Sequence, residues 1–338
     1  VPLLQTASKI LEAISKILDY AGEEPKMKDH RIAVVGLGAT GTILAGALLS
    51  RYPETLLVAR RREVAETLAR KGIQVSGALT YRVAVKNYST DLDDLSDFKP
   101  TCIFLCCKTF HLADLIERLR SVFRPQMKIV SAQNGLGPED LVADKFGRES
   151  AFRMSLNYGA ALKGPGEAEA TFFNRPNHLG GLFAENQDFG SRLAARLTEG
   201  GLDTVWVPDI KLFVWKKMVM KCTMASICAL TGKTITEALQ YPPTREIADA
   251  CFDEALTVAR AMGYDLGGDY LQQALGYLEK VGAHKDSICD DIKNRTPTEI
   301  DFLGAKVVEY ARSKGIAVPF YTTMTNLVKA VEHGYLNR

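Results

Sequence analysis

Short apolar runs alternate with segments of helical periodicity through the first half of the chain, and the pattern then changes character twice. Arg31–Val35, Thr55–Ala59, Thr101–Cys106 and Lys128–Ser131 are continuous apolar stretches of strand length, the form taken by strands buried on both faces of a parallel sheet. Between them, helical spacing predicts helices over 38–50, 61–70, 109–122 and 138–146, and Ile73–Val85 reads as a hairpin or irregular strand pair. From 151 to 207 strand-like runs with glycine punctuation dominate: Phe152–Ala160, Glu169–Phe173, His178–Phe183 and Thr204–Val207, with one helix at Asp188–Glu199. These predict further, largely antiparallel sheet. After Pro208 the periodicity is helical to the end, opening on a long helix over 209–230.

The βαβ rhythm predicts an α/β fold: an N-terminal Rossmann-type dinucleotide-binding domain, residues 27–208, followed by an all-α domain, residues 209–338. The first 26 residues stand apart. Leu3, Leu4, Ala7, Ile10, Leu11, Ile14, Ile17 and Leu18 recur at helical spacing among Lys9, Glu12, Lys16 and Asp19, an amphipathic helix before Met27. That helix and the helical domain each offer a face to a second copy, without fixing a homodimer.

The first strand runs directly into Gly36-Leu37-Gly38-Ala39-Thr40-Gly41. In this strand–turn–helix setting each glycine has a mechanical task. Gly36 makes the turn, Gly38 lets backbone approach a pyrophosphate, and Gly41 lets the helix pack on the sheet. The N–H groups of Ala39, Thr40 and Gly41 open the helix, where its dipole favours an anion. The second strand ends in Arg60-Arg61-Arg62. An acidic residue there would bond a ribose 2′-hydroxyl, whereas Arg60 suits a 2′-phosphate, so the expected cofactor is NADPH/NADP.

Composition narrows the function classes. The chain has 338 residues, 46% hydrophobic and 24% charged, enough for two cores. Lys+Arg 42 against Asp+Glu 40 gives a net charge of +2, which argues for neither a nucleic-acid nor a membrane partner. The seven cysteines lie mostly in apolar segments without zinc-ligand spacing, which predicts reduced thiols in a cytoplasmic protein and no metal.

Further positions along the chain bear on chemistry. Lys108 and Asn134 follow predicted strands, at the carboxyl ends where open α/β sheets bind ligands. Lys217, Lys221 and Ala225 are four apart on the long helix and share a face, while Trp215, Met218 and Cys222 form another, core-like one. A helical lysine facing a cleft can polarise a carbonyl and donate a proton to the alkoxide left by hydride transfer. Glu299 and Asp301 are predicted to begin a helix.

Taken together, Lys108, Gln133-Asn134-Gly135, Trp215-Lys216-Lys217, Thr298-Glu299-Ile300-Asp301 and Gly315-Ile316-Ala317-Val318-Pro319 resemble the ketopantoate reductase family, in order from about Arg31 to Glu332. The resemblance implies NADPH and a 2-oxo acid held between a Rossmann and a helical domain. It implies Lys217 as the catalytic lysine and Glu299 as the acid that orients it and contacts substrate and cofactor. Ser287 would bind the substrate carboxylate, Lys108 and Asn134 would lie near nicotinamide and substrate, and Arg60 would hold the 2′-phosphate. The family pattern has asparagine where this chain has Lys221, Ala225 and His284. That departure leaves open a different, dianionic 2-oxo acid paired by Lys221, and a non-catalytic NADPH sensor. A β-hydroxyacid dehydrogenase is disfavoured by the 298–301 and 315–319 segments.

Overall fold

The computed structural model describes residues 31–280 and 285–337. The expectations for residues 1–26 and for His284 fall outside them.

Twelve strands form among the described residues: β1 (Ile32–Val35), β2 (Leu56–Val58), β3 (Ile73–Gly77), β4 (Tyr81–Val83), β5 (Asn87–Ser89), β6 (Cys102–Leu105), β7 (Lys128–Ser131), β8 (Ala151–Ser155), β9 (Tyr158–Gly164), β10 (Glu167–Phe173), β11 (Asn177–Gly181) and β12 (Thr204–Trp206). The main sheet runs β12-β11-β8-β7-β6-β1-β2-β5 and is parallel from β5 through β8. Val35 pairs with Val58 on one side and Leu105 on the other, and Leu105 pairs with Ser131. The loops after β1, β2, β6 and β7 therefore leave the sheet side by side. Sequence order reverses at β1, so these loops rim the crevice where such sheets take ligands.

The region predicted as one antiparallel completion of the sheet divides differently. Phe152–Ala160 is not one strand: β8 extends the parallel sheet, the chain breaks at Leu156-Asn157, and β9 enters a second sheet, β4-β3-β10-β9. The 73–85 hairpin belongs to that second sheet, with Ile73 opposite Val83.

Helix α1 (Ala39–Leu49) explains why two sheets are needed. Its residues Gly41–Leu49 are all buried, and it is apolar all round, as a helix enclosed on every side must be. Ile32 and Val34 from one face of β1 pack with Ile43, Leu44, Val75 and Tyr81, so α1 lies between the sheets. Ala33 and Val35, on the opposite face, join a second core with α4 (Leu112–Leu119) and the helices after β12. The other helices of the first half are α2 (Arg62–Lys71), α3 (Leu95–Phe98), α5 (Pro138–Phe146) and α6 (Gln187–Glu199). The expected helix over 109–122 is shorter, opening as a 3-10 turn at Thr109–His111.

After β12 the described chain is helical: α7 (Ile210–Thr231), α8 (Ile235–Gln240), α9 (Pro242–Ala261), α10 (Tyr270–Lys280), α11 (Ser287–Lys293), α12 (Gly304–Ser313) and α13 (Pro319–Leu336). Asp209 caps α7 by accepting from Leu212 N–H, and Gly232 ends it in the left-handed conformation, φ 68°. This helix packs against β8 and β11 on one side and α8, α9, α11 and α13 on the other, so its polar stripe lies where the two halves meet.

Candidate active site

The glycine turn has the shape its spacing predicts. Gly36 sits at φ +100°, and a Cβ there would come within 2.6 Å of the Cys107 nitrogen. A Cβ on Gly41 would come within 2.0 Å of the Gly36 carbonyl oxygen, so helix and turn are in backbone contact. At Gly38 a Cβ would meet nothing within 4 Å, an open approach to the uncapped N-terminus of α1. Thr42 N–H makes the first helical bond, to Gly38 O, which leaves the preceding N–H groups free of the helix ladder. Tyr158 donates to the Thr40 carbonyl and ties the helix start to the second sheet. This cradle fits a dinucleotide pyrophosphate.

Arg60 leaves β2 exposed, and its Nη1 donates to His111 Nε2 over 2.9 Å. Because β1 lies between β2 and β6, that bond joins the loops on either side of the glycine turn. Arg61 and Arg62 instead pair with Glu63 at 3.1 Å and Glu66 at 2.8 Å on their own helix.

Lys217 reaches from α7 to the end of the parallel sheet. Its Nζ donates to Asn134 Oδ1 over 2.8 Å and to the Leu156 carbonyl at the β8–β9 break. A continuous strand would have spent that carbonyl in a ladder. Burial pushes the amine down to about 7, and the Lys221 and Arg153 charges act in the same direction against Asp286.

Glu299 is placed differently from what the resemblance implied. It precedes a 3-10 turn, Ile300–Phe302, and α12 starts only at Gly304. Among the described residues its carboxylate bonds Thr109 N–H at 2.9 Å, Thr109 Oγ1 at 3.0 Å and Lys108 Nζ at 3.3 Å, and does not reach Lys217. Lys108 also bonds Asp291 at 3.0 Å. The loop after β6 is thus fastened to the helical half through Lys108 and Thr109. Burial opposes the Lys108 charge, but Glu299 and Asp291 outweigh it, so its pKa rises. Orienting Lys217 falls to Asn134 and Leu156.

Two family models match this chain: ketopantoate reductase PanE/ApbA over residues 32–181, and its C-terminal counterpart over residues 209–332. The chain belongs to the ketopantoate reductase PanE/ApbA family. It is 26% identical over 308 residues to the 2-dehydropantoate 2-reductase of Archaeoglobus fulgidus, covering 91% of this chain and 100% of the relative. The solved 2-dehydropantoate 2-reductase of Geobacter metallireducens superposes with a TM-score of 0.81 at 24% identity, covering 89% of this chain and 99% of that one. A D-mandelate dehydrogenase solved with NADH and anilino(oxo)acetate superposes at 0.80 with 22% identity, covering 90% and 99%. These likenesses to solved structures carry the fold.

Within this ketopantoate reductase family fold, Lys221 stands one turn beyond Lys217 and is not a free cation. It bonds Asp286 at 2.9 and 3.0 Å and Ser287 Oγ at 3.4 Å. Burial works against the Lys221 charge, Asp286 outweighs it, and the net shift is upward. Asp286 also caps α11 by accepting from Ile288 N–H, which places Ser287 at the exposed start of that helix beside Lys221. Ala225, two turns from Lys217, is fully buried and lines the core rather than the cleft.

Two residues escaped the reading of the sequence. Arg153, on β8, has a side chain only 1% exposed and faces Glu139 at 3.5 Å. The signal was an arginine inside the apolar run Ala151–Leu156. Helical periodicity predicts His111 inside a helix over 109–122, and only the sheet order brings it to Arg60. All seven cysteines are free thiols, and burial raises each, Cys107 to about 11.

Proposed function

We propose that this chain reduces a 2-oxo acid to a 2-hydroxy acid with NADPH. The observation that carries the reading is the Lys217 amine, held by Asn134 and Leu156 at the carboxyl end of the sheet that bears the glycine cradle. The bound nicotinamide would supply hydride to the carbonyl carbon. Lys217, in its ammonium form, polarises the carbonyl oxygen and gives the alkoxide its proton. Asn134 and the Leu156 carbonyl fix the direction of that donor. Ser287, exposed next to Lys221, is the candidate for the substrate carboxylate. Lys108 and Glu299 hold the loop after β6 against the helical half and so define the wall of the cleft.

The match of Lys221 by Asp286 favours a monocarboxylate over a dianionic acid, because the cation a second carboxylate would need is already paired. 2-Dehydropantoate is therefore the first substrate to test, within a panel that includes aromatic and dicarboxylic 2-oxo acids. Oxidation of NADPH by one or more monocarboxylic acids is the expected result. Tight NADPH binding without oxidation by any acid would favour a sensor and sink the reductase reading.

Coenzyme choice is testable separately. Arg60→Ala is expected to raise KM for NADPH by about ten- to a hundredfold, the loss of a charge-assisted contact of about 1.5–3 kcal/mol. KM for NADH should change little. Equal changes for both coenzymes would remove Arg60 from 2′-phosphate recognition.

A further inference from the structure

We propose that Arg153 is a positioning residue for this reaction: it fastens the loop that carries Asn134 and adds a fixed positive charge to the surroundings of the Lys217 amine. The proposal rests on the reading of Lys217 as proton donor. Position 153 lies on a strand where Ala151, Phe152 and Met154 are wholly buried and apolar and Ser155 is buried at the end. An apolar residue of similar volume would ordinarily serve such a position at least as well as an ion pair.

What the arginine does there is local and directional. Its Nη2 donates to the carbonyl of Gly135, the residue after Asn134, over 2.9 Å. Gly135 has φ +106°, and its N–H points at Met218 Sδ, 3.1 Å away on the helix that carries Lys217. Leu136 N–H donates to the Phe302 carbonyl over 2.8 Å, which pins the far side of the loop. The strand that holds Arg153 also ends at Ser155, directly before Leu156, the second acceptor of the Lys217 amine. Both partners of that amine are therefore set by β8, one directly and one through Arg153.

The charge is only partly balanced. Glu139 is the facing carboxylate, at 3.5 Å, and among the described residues neither its Oε2 nor the arginine Nε and Nη1 makes a hydrogen bond. The charged and titratable groups around Arg153 are Glu139 and Asp140 on α5, Glu299 before the 3-10 turn, Tyr310 on α12 and Lys217 on α7. Those around Lys217 are Lys221 on its own helix, Arg153 on β8 and Asp286 at the start of α11. The Arg153 charge favours the neutral amine, so its removal must favour the ammonium.

The test is the pH profile of kcat/KM for the oxo acid at saturating NADPH, in the parent and in Arg153→Met, Arg153→Lys and Glu139→Gln, with Lys217→Ala alongside. Arg153→Met is expected to move the alkaline limb up by about one pH unit and to lower kcat about tenfold, with KM for NADPH unchanged. Arg153→Lys restores the position of the limb. Glu139→Gln strengthens the uncompensated field and moves the limb the other way, which decides the matter even if Arg153→Met does not fold. A limb that stays in place in Arg153→Met, or in Glu139→Gln where Arg153→Met does not fold, overturns the proposal and leaves Arg153 a structural residue. If Lys217→Ala keeps its turnover, the proton-donor reading falls and takes the proposal with it. An inactive Lys217→Ala beside an unmoved limb sinks the Arg153 role alone.

Discussion

Lys217→Ala is expected to lower kcat by about a hundred- to ten-thousandfold, the usual range for removal of a positioned proton donor. KM for NADPH should hardly move, because the glycine cradle and Arg60 lie on other loops. The same lysine sets a pH dependence. Burial, Lys221 and Arg153 together hold it down to about 7. With the ammonium as the proposed proton donor, kcat/KM should be flat below pH 7 and fall by about tenfold per unit above it. The stability sign is the reverse. The folded pKa lies below the ordinary lysine value, so between the two the unfolded chain binds more protons and stability rises with pH. Lys217→Met should therefore raise the urea midpoint most below pH 7, with the gain fading as the pH approaches the ordinary lysine range. A midpoint gain that grew with pH would contradict a lysine held neutral by burial.

The second large effect separates glycines that look alike in the motif. Gly41→Ala would drive a methyl to 2.0 Å from the Gly36 carbonyl oxygen, a contact only a backbone shift can relieve. Destabilisation by about 3 kcal/mol or more is expected, read as a lower urea midpoint, because overpacking against backbone has no flexible side chain to absorb it. Gly38→Ala has open space around it and φ −79°, so the fold should keep its midpoint. What suffers is coenzyme: the added methyl stands where the pyrophosphate must approach α1, and KM for NADPH should rise about tenfold or more. If both variants lost stability equally, Gly38 would be a folding residue and the cradle would lie elsewhere.

The family relation and the order of elements were legible because each rests on short-range signals. Continuous apolar runs marked the parallel strands, helical periodicity marked α7, and the glycines carried their geometry in their spacing. The second sheet was not legible. Phe152–Ala160 is strand-like along its whole length, with Arg153, Ser155 and Asn157 among its apolar residues, and nothing local distinguishes a strand that continues from one that changes sheets at Leu156. The pairing of Glu299 with Thr109 and Lys108, 190 and 191 residues away, is equally invisible in the chain.

Lys221 makes the division clear. The sequence by itself determined a cation one helical turn from Lys217, since residues four apart on a helix share a face whatever surrounds them. It likewise determined the strand–turn–helix cradle, whose atoms are contiguous. Only the tertiary structure decided that Asp286 neutralises Lys221, that Glu299 serves Lys108, and that the β8–β9 break presents a carbonyl to Lys217. The physical reason is range. Backbone conformation and helical phase are set by neighbours in sequence. The partner of a charge, and with it the protonation of a buried amine, is set by whichever distant groups folding brings within hydrogen-bonding distance.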